Sequence, residues 1–310
     1  MRVLVTGGAG FIGSNLVHRL VTDGHEVRVL DDLSTGRATN LDGVLPHVEF
    51  READLRDEEA VAQALVGREV VFHLGALNSV PRSLRDPVAT HEVNVTGTVN
   101  VLFAAHRAGA RRVVFASSSS VYGDHEDPRD REDLPFRPKA PYPVSKVAGE
   151  LYCRTFTQNF GLETVSLRLF NVFGPRQNPK SEYAAVIPLF LQALRQGEPI
   201  TVYGDGSQGR DFTYVDNVVH AHLLAATAAG ASGEAINVAT GRKRTLTELV
   251  TQLERILGVR AQVRQAPLRA GDRLSSEADI AKAERLLGYS AAVDFGEGLR
   301  RTVAWFQEHE

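Results

Sequence analysis

The sequence contains a single cysteine, Cys153, among 310 residues, so no disulfide can form within the chain. It also lacks an apolar run approaching the roughly 18 residues that a membrane-spanning helix requires. No segment at its start combines a charged region, an apolar region and a small-residue cleavage site. We therefore expect a protein of the reducing cytoplasm that has no membrane span, with Cys153 serving as a packing residue.

Neither sign of charge dominates the chain. Its 35 basic and 38 acidic residues give a formal net charge of -3, which provides no general attraction for nucleic acid. No cluster of His, Cys and carboxylate side chains has the spacing of a metal site, so we predict no metal. His73 lies between Phe72 and Leu74 in a buried pattern and is interpreted as a core histidine. Any anionic ligand must then be held by local groups.

Short β-branched runs alternate with apolar patterns of helical spacing up to about Asn171. This order predicts an α/β fold of the Rossmann type, a doubly wound parallel sheet with helices on both faces. The predicted strands cover residues 2–6, 26–30, 48–52, 70–74, 112–116 and 164–170.

After Asn171 the alternation weakens and prolines interrupt the chain, which indicates a smaller mixed α/β domain for the substrate. A strand expected at 235–238 could return to the main sheet. We therefore assign residues 1–170, rejoined by about 211–240, to a nucleotide-binding domain. Residues 171–210 and 241–310 are assigned to the substrate domain.

A glycine-rich loop joins the first predicted strand to the first helix, with glycines at Gly7, Gly10 and Gly13. Such glycines allow the backbone to approach a pyrophosphate at a helix N-terminus, where free N–H groups and the helix dipole favour negative charge. A glycine-rich turn without function is the alternative. The preceding strand, the following helix and a later acidic residue together favour a dinucleotide site.

Asp31 ends the second predicted strand, where a carboxylate can bind the adenosine ribose hydroxyls and repel a 2′-phosphate. This position favours NAD over NADP as the cofactor. Arg37 lies close enough in sequence to weaken the inference, although it also fits a solvated loop charge. Asp54 follows the third strand, where it fits either a contact with the adenine amine or a turn cap.

Tyr142 and Lys146 are four residues apart at the start of an apolar helix, so both lie on one helical face. An ammonium near a phenol lowers the phenol pKa, which general-base catalysis at neutral pH requires. Four consecutive serines, including Ser118, follow another predicted strand, and strand ends are where ligands bind in parallel sheets. A flexible polar loop is the alternative interpretation of these serines.

Seven segments match in order and cover almost the whole chain, and on them the sequence resembles the UDP-sugar 4-epimerases of the extended short-chain dehydrogenase/reductase family. Two further segments, 79–83 and 183–188, are most similar to the branch that acts on UDP-N-acetylhexosamines. Gly75 departs from the alanine usual in the family. The seven segments are residues 7–13, 31–34, 72–74, 117–123, 142–146, 170–175 and 209–212.

The resemblance implies a retained NAD and an oxidation followed by reduction at one sugar carbon. Tyr142 would take the proton of the sugar 4-hydroxyl, Ser118 would hydrogen-bond the same oxygen, and the 4-keto sugar would turn over in the site. Whether Ser118 or Ser119 faces that oxygen stays open. The implied NAD-binding residues are Gly7, Gly10, Phe11, Ile12, Gly13, Asp31, Asp32, Ser34, Gly36, Asp54, Leu55, Leu74, Ala76, Asn94, Tyr142 and Lys146.

Related dehydratases and decarboxylases carry an additional acid or base at the positions of Ser119 and Ser120. Serine is too weak an acid for that role, so both reactions are disfavoured. The resemblance also assigns residues that bind the UDP-sugar, among them two arginines suited to phosphate oxygens. These residues are Ser118, Asn171, Tyr203, Arg210, Arg269, Asp272 and Ser276.

Ser276 matches the family position that limits the size of the sugar pocket, and a serine leaves room for an N-acetyl group. UDP-glucose, UDP-galactose and their N-acetylated forms are thus the expected substrates. The family also implies a homodimer built from helices near 88–108 and 145–160. Alternatives are a UDP-glucuronate 4-epimerase, a nucleotide-sugar reductase, and a non-enzymatic NAD-sensing binding protein.

Overall fold

The computed structural model describes residues 1–178, 185–267 and 275–309. Its strands in chain order are β1 (Arg2–Thr6), β2 (Glu26–Asp31), β3 (Val48–Glu52), β4 (Val70–His73), β5 (Arg112–Ser118), β6 (Glu163–Leu169), β7 (Val172–Phe173), β8 (Ile200–Tyr203), β9 (Gly209–Arg210), β10 (Thr213–Tyr214), β11 (Glu234–Val238), β12 (Arg244–Thr245), β13 (Val263–Ala266) and β14 (Ser275–Ser276). The α-helices are α1 (Phe11–Thr22), α2 (Glu58–Leu65), α3 (Val80–Arg85), α4 (Pro87–His91), α5 (Gly97–Arg107), α6 (Pro141–Phe160), α7 (Val186–Gln196), α8 (Val215–Ala225), α9 (Leu246–Leu257), α10 (Ala281–Leu287) and α11 (Phe295–His309).

Seven strands form one parallel sheet in the order β11-β6-β5-β4-β1-β2-β3. The strand order reverses between β1 and β4, and ligands of such sheets bind at the carboxyl ends of the strands beside this point. The fold class predicted from the sequence is confirmed. The expected strand at 235–238 is β11, which pairs with β6 along 234–238.

Apolar side chains on both faces bury the sheet. In β1, Val3 and Val5 join one hydrophobic cluster, whereas Leu4 joins the other, because successive side chains of a strand point to opposite faces. Helices α1 and α8 contribute to the first cluster, and α2, α5 and α6 contribute to the second. Cys153 on α6 is buried in the second cluster, as expected from its apolar neighbours.

Local sequence explains where helix α6 begins and ends. Pro141 occupies its first turn, where a missing N–H costs no hydrogen bond, and Gly161 ends it in the left-handed conformation. The 20-residue helix runs beside β5 and β6. Its first two turns thus carry Tyr142 and Lys146 to the carboxyl end of β5.

The second half of the chain builds three small sheets next to the main one. They pair β10 with β7, β13 with β8, and β9 with both β12 and β14. A reciprocal capping box between Thr245 and Glu248 fixes the start of α9, which packs against α7 and α11. The division into two domains at 171, 211 and 241 stays a prediction.

No helix within the described ranges is long and apolar enough to cross a membrane.

Candidate active site

A cavity of about 660 Å³ opens at the carboxyl ends of the parallel strands, beside the β1–β4 reversal. We call it the first cavity. The glycine loop after β1 lines one part of it, and the serines after β5 together with the start of α6 line another. Of the sixteen residues predicted to bind NAD, fourteen line this cavity. The two that do not are Gly36 and Asn94.

The glycine loop has the close packing that a phosphate cradle requires. Gly7 has a φ of 68°, and a Cβ there would lie 2.6 Å from the Gly75 nitrogen. A Cβ on Gly13 would lie 2.1 Å from the Gly7 carbonyl oxygen. Helix α1 begins directly after this turn and has no side-chain cap at Gly10, so its first N–H groups suit an anion. The loop therefore fits the pyrophosphate of a dinucleotide.

Asp31 is buried at the end of β2 with its carboxylate fixed by two backbone donors. Its oxygens accept hydrogen bonds of 2.9 Å from the Ala9 and Leu33 N–H groups. Burial raises the pKa of Asp31, and these two hydrogen bonds act in the opposite direction. Gly36 packs against this pair, because a Cβ there would lie 3.0 Å from an Asp31 oxygen. The absence of a side chain at Gly36 therefore leaves room for the Asp31 carboxylate and the Ala9 backbone.

Asp54 lines the first cavity and also caps a turn. Its position is therefore compatible both with a contact to the adenine amine and with the turn cap. Its Oδ1 accepts a 2.8 Å hydrogen bond from the Arg56 N–H, and the Arg56 guanidinium pairs with the same carboxylate. This pairing lowers the pKa of Asp54. Asp32 forms a similar local turn with Ser34, through hydrogen bonds of 3.0 and 2.7 Å. Contacts of Asp32 and Asp54 with a nucleotide stay predictions.

The three predicted catalytic residues converge in the first cavity. The Lys146 ammonium donates a 2.9 Å hydrogen bond to the Ala116 carbonyl and lies 5.9 Å from the centre of the Tyr142 ring. Ser118 lies close enough to the Tyr142 hydroxyl to act on its pKa, which it lowers. Two donors from Ser120, its N–H at 3.2 Å and its hydroxyl at 2.9 Å, orient the Ser118 oxygen. A substrate hydroxyl placed there would meet a phenol and a serine together.

The pKa of Tyr142 corrects one expectation from the sequence. A lysine four residues away was expected to lower this pKa, but burial raises it above the usual value, and Ser118 only partly opposes that. Burial also lowers the pKa of Lys146 to about 8. The physical reason is the same for both: removal from water disfavours each charged form.

A second cavity of about 310 Å³ adjoins the first, with Asn171, Val172 and Ala185 lining both. Tyr203 and Arg210 line this second cavity, as the prediction of a nucleotide pocket requires. Asn171 has an unusual φ of 33° at the junction, and its side-chain amide donates to the Asp211 carbonyl at 3.4 Å. The two cavities therefore share a boundary at Asn171, Val172 and Ala185.

Ser276 is 6% exposed and pairs with Arg210 in the strand register. Its hydroxyl has no hydrogen-bond partner among the described residues. It lines neither cavity, although its strand borders the second one through Arg210. Arg269, Asp272 and the 183–184 part of the hexosamine-type segment lie outside the described residues.

Asn94 does not line the first cavity but holds neighbouring backbone and side-chain groups in place. Its side chain accepts from the Leu77 N–H at 2.7 Å and donates to the Ser145 hydroxyl at 3.0 Å. Ser145 in turn donates to the Tyr142 carbonyl at 2.7 Å, so Asn94 steadies the turn that carries the tyrosine. His73 is buried between the hydroxyls of Thr6 and Thr98, which agrees with a core role.

The structure adds residues that sequence reasoning missed. Arg176 and Gln177 directly follow the matched segment 170–175, so that segment was the available signal for them. Trp305 comes from the last helix, and nothing in its spacing pointed to this cavity. The residues missed at the two cavities include Asn40, Arg176, Gln177, Asn178 and Trp305 in the first and Phe190, Gln208 and Leu246 in the second, whereas Ser79 and Arg82 of the first belong to the matched segment 79–83.

Within the described residues, no group of three or more His, Cys, Asp or Glu side chains is placed to hold a metal ion.

Comparison with known proteins agrees with this geometry. Residues 3–239 match the profile of the NAD dependent epimerase/dehydratase family. A UDP-glucose 4-epimerase of Mycolicibacterium smegmatis is 42% identical over 99% of both chains. The chain also resembles the structure of a UDP-N-acetylglucosamine 4-epimerase from Methanobrevibacter ruminantium, which was solved in complex with UDP-N-acetylmuramic acid. The two structures superpose with a TM-score of 0.95 at 38% sequence identity, and the match covers 100% of this chain and 99% of that one. The structure of the Thermus thermophilus UDP-glucose 4-epimerase complex with NAD gives 0.91 at 40% identity, covering 100% of both chains.

Proposed function

Because the chain belongs to the NAD dependent epimerase/dehydratase family, we propose that it is an isomerase that inverts C4 of UDP-hexoses. The observation that carries this proposal is the convergence of Ser118, Tyr142 and Lys146 in one cavity. That cavity has a glycine cradle in one wall and joins a second cavity lined by Tyr203 and Arg210. Relatives named as 4-epimerases of UDP-sugars span the full length of this chain.

The glycine loop and Asp31 would hold NAD, which would supply a hydride acceptor for the sugar carbon and a hydride donor to its opposite face. Tyr142 removes the proton of the 4-hydroxyl and restores it at the end of the cycle. Ser118 lies beside the Tyr142 hydroxyl, whose pKa it lowers, and would hydrogen-bond the same substrate oxygen. Lys146, charged at neutral pH, stabilises the phenolate while the 4-keto sugar turns over. No additional acid is required, in keeping with serine at 119 and 120.

The proposed substrates are UDP-glucose and UDP-galactose together with UDP-GlcNAc and UDP-GalNAc. Support for the N-acetylated pair comes from the family resemblance, which puts the small side chain of Ser276 at the position that limits the size of the sugar pocket. Ser276→Tyr should abolish turnover of UDP-GlcNAc while UDP-glucose is still epimerised. Kinetics in which the parent protein rejects both N-acetylated sugars would remove this part of the proposal.

Incubation of the purified protein with each UDP-sugar, with C4 configuration followed by NMR, tests the reaction itself. We expect interconversion without net consumption of cofactor. Net oxidation or reduction of cofactor with no epimer formed would favour a reductase, and UDP-glucuronate tested in parallel covers the uronate alternative. Tyr142→Phe should lose turnover yet retain NAD, whereas undiminished activity in this variant would contradict the role of Tyr142.

A homodimer, also proposed, has support from apolar side chains exposed on α5 and α6. Phe103 is 47% exposed and Leu151 is 51% exposed. Tyr152 and Phe160 on α6 are also large apolar side chains that are exposed. Exposed apolar groups of this kind mark interaction surfaces when they cluster. Light scattering of the purified protein, with Leu151→Glu as the disrupting variant, distinguishes dimer from monomer. We keep the cytoplasm as the proposed location.

A further inference from the structure

A third cavity, of about 700 Å³, lies between the segment 37–42 after β2 and the helices α7 and α11. It adjoins the first cavity, because Arg37, Asn40 and Trp305 line both. None of its other walls belongs to a matched segment of the sequence. The other residues that line it are Thr39, Asp42, Gln192, Arg195, Gln196 and His309.

Positive charge and hydrogen-bond donors dominate the wall of the third cavity. Arg37 and Arg195 bring two guanidinium groups, against the single carboxylate of Asp42. Gln192 adds the donor of a carboxamide, and Trp305 adds an indole N–H. A guanidinium binds phosphate oxygens through paired hydrogen bonds, so this wall suits a ligand with negative charge and several oxygen acceptors.

The donors of the third cavity come from two separate parts of the fold. The side chains of Arg37, on the segment after β2, and of Gln192 and Gln196, on α7, make no hydrogen bond or ion pair with the described residues. Arg195, also on α7, donates from Nη1 to the Phe306 carbonyl at 2.9 Å, which ties its guanidinium to α11. One ligand in this cavity can therefore contact both the segment 37–42 and α7.

The segment 37–42 is also bound to the glycine loop, at the carbonyl of Ala9. The Arg37 N–H donates to this carbonyl at 3.0 Å, and Nδ2 of Asn40 donates to it at 2.8 Å. The Ala9 N–H in turn donates to the Asp31 carboxylate at 2.9 Å. A ligand that holds Arg37 therefore acts on the same backbone that fixes the predicted ribose-binding carboxylate.

We propose that the third cavity is a second anion site, which takes a small phosphorylated ligand and thereby strengthens the retention of NAD. The phosphate contacts Arg37 on one side and Arg195 on the other, and it holds the segment 37–42 against α7. A volume of about 700 Å³ leaves room for an organic group beside the phosphate. The inference takes NAD as the occupant of the first cavity and needs no particular sugar substrate.

Inorganic pyrophosphate is the probe, titrated by isothermal calorimetry into NAD-loaded protein that has first been saturated with UDP. NAD and UDP fill the other two proposed phosphate positions, so the remaining heat reports a further site. We expect one such site in the parent protein. Arg37→Met and Arg195→Met should each weaken pyrophosphate binding about tenfold or more.

Arg260→Met is the matched control and should bind pyrophosphate like the parent. Arg260 has a side chain that is 94% exposed, and it lines none of the three cavities. Thermal unfolding of each variant shows that the fold is intact. Gln192→Leu, which removes a carboxamide from the wall, provides a further variant if Arg195→Met does not fold, and it should weaken binding several-fold.

The release of NAD provides a readout that is independent of turnover. Exchange of bound NAD for fluorescent etheno-NAD measures its rate. Saturating pyrophosphate should slow this release about fivefold or more in the parent, because a ligand that favours the NAD-bound form must itself be favoured by NAD. The same pyrophosphate concentration should have little effect in Arg195→Met, whose residue lines the third cavity and not the first.

A parent protein that binds no pyrophosphate beside NAD and UDP overturns the inference and leaves the proposed function standing. Binding that persists unchanged in Arg37→Met and Arg195→Met overturns the assignment to the third cavity. Pyrophosphate that binds there without slowing the release of NAD overturns the link between this cavity and the cofactor.

Discussion

Glu150 and Arg168 form a buried ion pair beside the serines at the end of β5, with Nη2 of the arginine 2.8 Å from Oε2 of the glutamate. Glu150 lies one turn after Lys146 on α6, and Arg168 lies beside Ser117 across β5 and β6. The Ser117 hydroxyl donates to Glu150, and Arg168 donates to the Tyr122 hydroxyl at 2.8 Å. The pair therefore ties the catalytic helix to the strand ends that carry the serines.

Removal of one partner of this pair should destabilise the protein strongly. Arg168→Met leaves the Glu150 carboxylate buried without its counter-ion, and we expect the free energy of unfolding to fall by about 3–5 kcal/mol. Denaturant titration measures this loss. Arg300→Met, which breaks an exposed pair with Glu297, is the control and should cost less than about 1 kcal/mol.

The double variant Glu150→Leu/Arg168→Met provides the opposing test of the same pair. Both charges are then absent, so most of the loss seen in Arg168→Met should be recovered. A double variant less stable than Arg168→Met would mean that the hydrogen bonds to Ser117 and Tyr122, rather than the unpaired charge, dominate the cost.

Ser118 and Ser119 should differ sharply when each is replaced by alanine. Ser118 lies beside the Tyr142 hydroxyl and is proposed to bind the same substrate oxygen, so Ser118→Ala should lower kcat by about 100-fold or more. Ser119 also lines the first cavity and serves as the neighbouring control, with a change in kcat of only a few-fold expected. Steady-state kinetics of both variants on one UDP-sugar distinguishes the two serines. A larger loss of kcat in Ser119→Ala than in Ser118→Ala would mean that Ser119 binds the substrate 4-oxygen.

Turnover should fall as the pH rises above about 8. The folded-state pKa of Lys146 is lowered to about 8 by burial, so the side chain is charged below this pH and neutral above it. A neutral amine no longer stabilises the Tyr142 phenolate, and kcat declines for that reason. The pH profile of kcat measures the decline.

Lys146→Arg is the variant that isolates this charge. Its guanidinium stays protonated throughout the accessible range, so the residual activity of the variant should lack the alkaline decline near pH 8. A decline at the same pH in Lys146→Arg would assign it to another group.

The strands and the cofactor end of the site were predictable because their signals are local. The strand predicted at 2–6 agrees at both ends. Strands β2, β4 and β5 differ from their predictions by one or two residues at the carboxyl end, and β6 differs by one residue at each end. The glycine loop at 7–13 and Asp31 lie next to those strands in sequence, so the strand order alone brings them together.

The remaining features depend on contacts between distant residues, for which no spacing rule exists. Trp305 reaches the first cavity from the last helix, and Arg168 on β6 meets Glu150 because α6 packs against that strand. The raised pKa of Tyr142 was missed because burial, which the sequence does not report for one side chain, outweighs a charged neighbour.

Gly13→Ala should prevent NAD from binding, because the added Cβ would lie 2.1 Å from the Gly7 carbonyl oxygen. The turn must then open, and the N–H groups at the start of α1 can no longer converge on a pyrophosphate. The matched control is Gly296→Ala on α11, where the nearest neighbour of the new Cβ is an Asp294 oxygen at 3.4 Å. Absorbance and calorimetry measure the NAD content and affinity of both variants. Parent-like NAD affinity in Gly13→Ala, with the fold intact by circular dichroism, would mean that the pyrophosphate is held elsewhere in the first cavity.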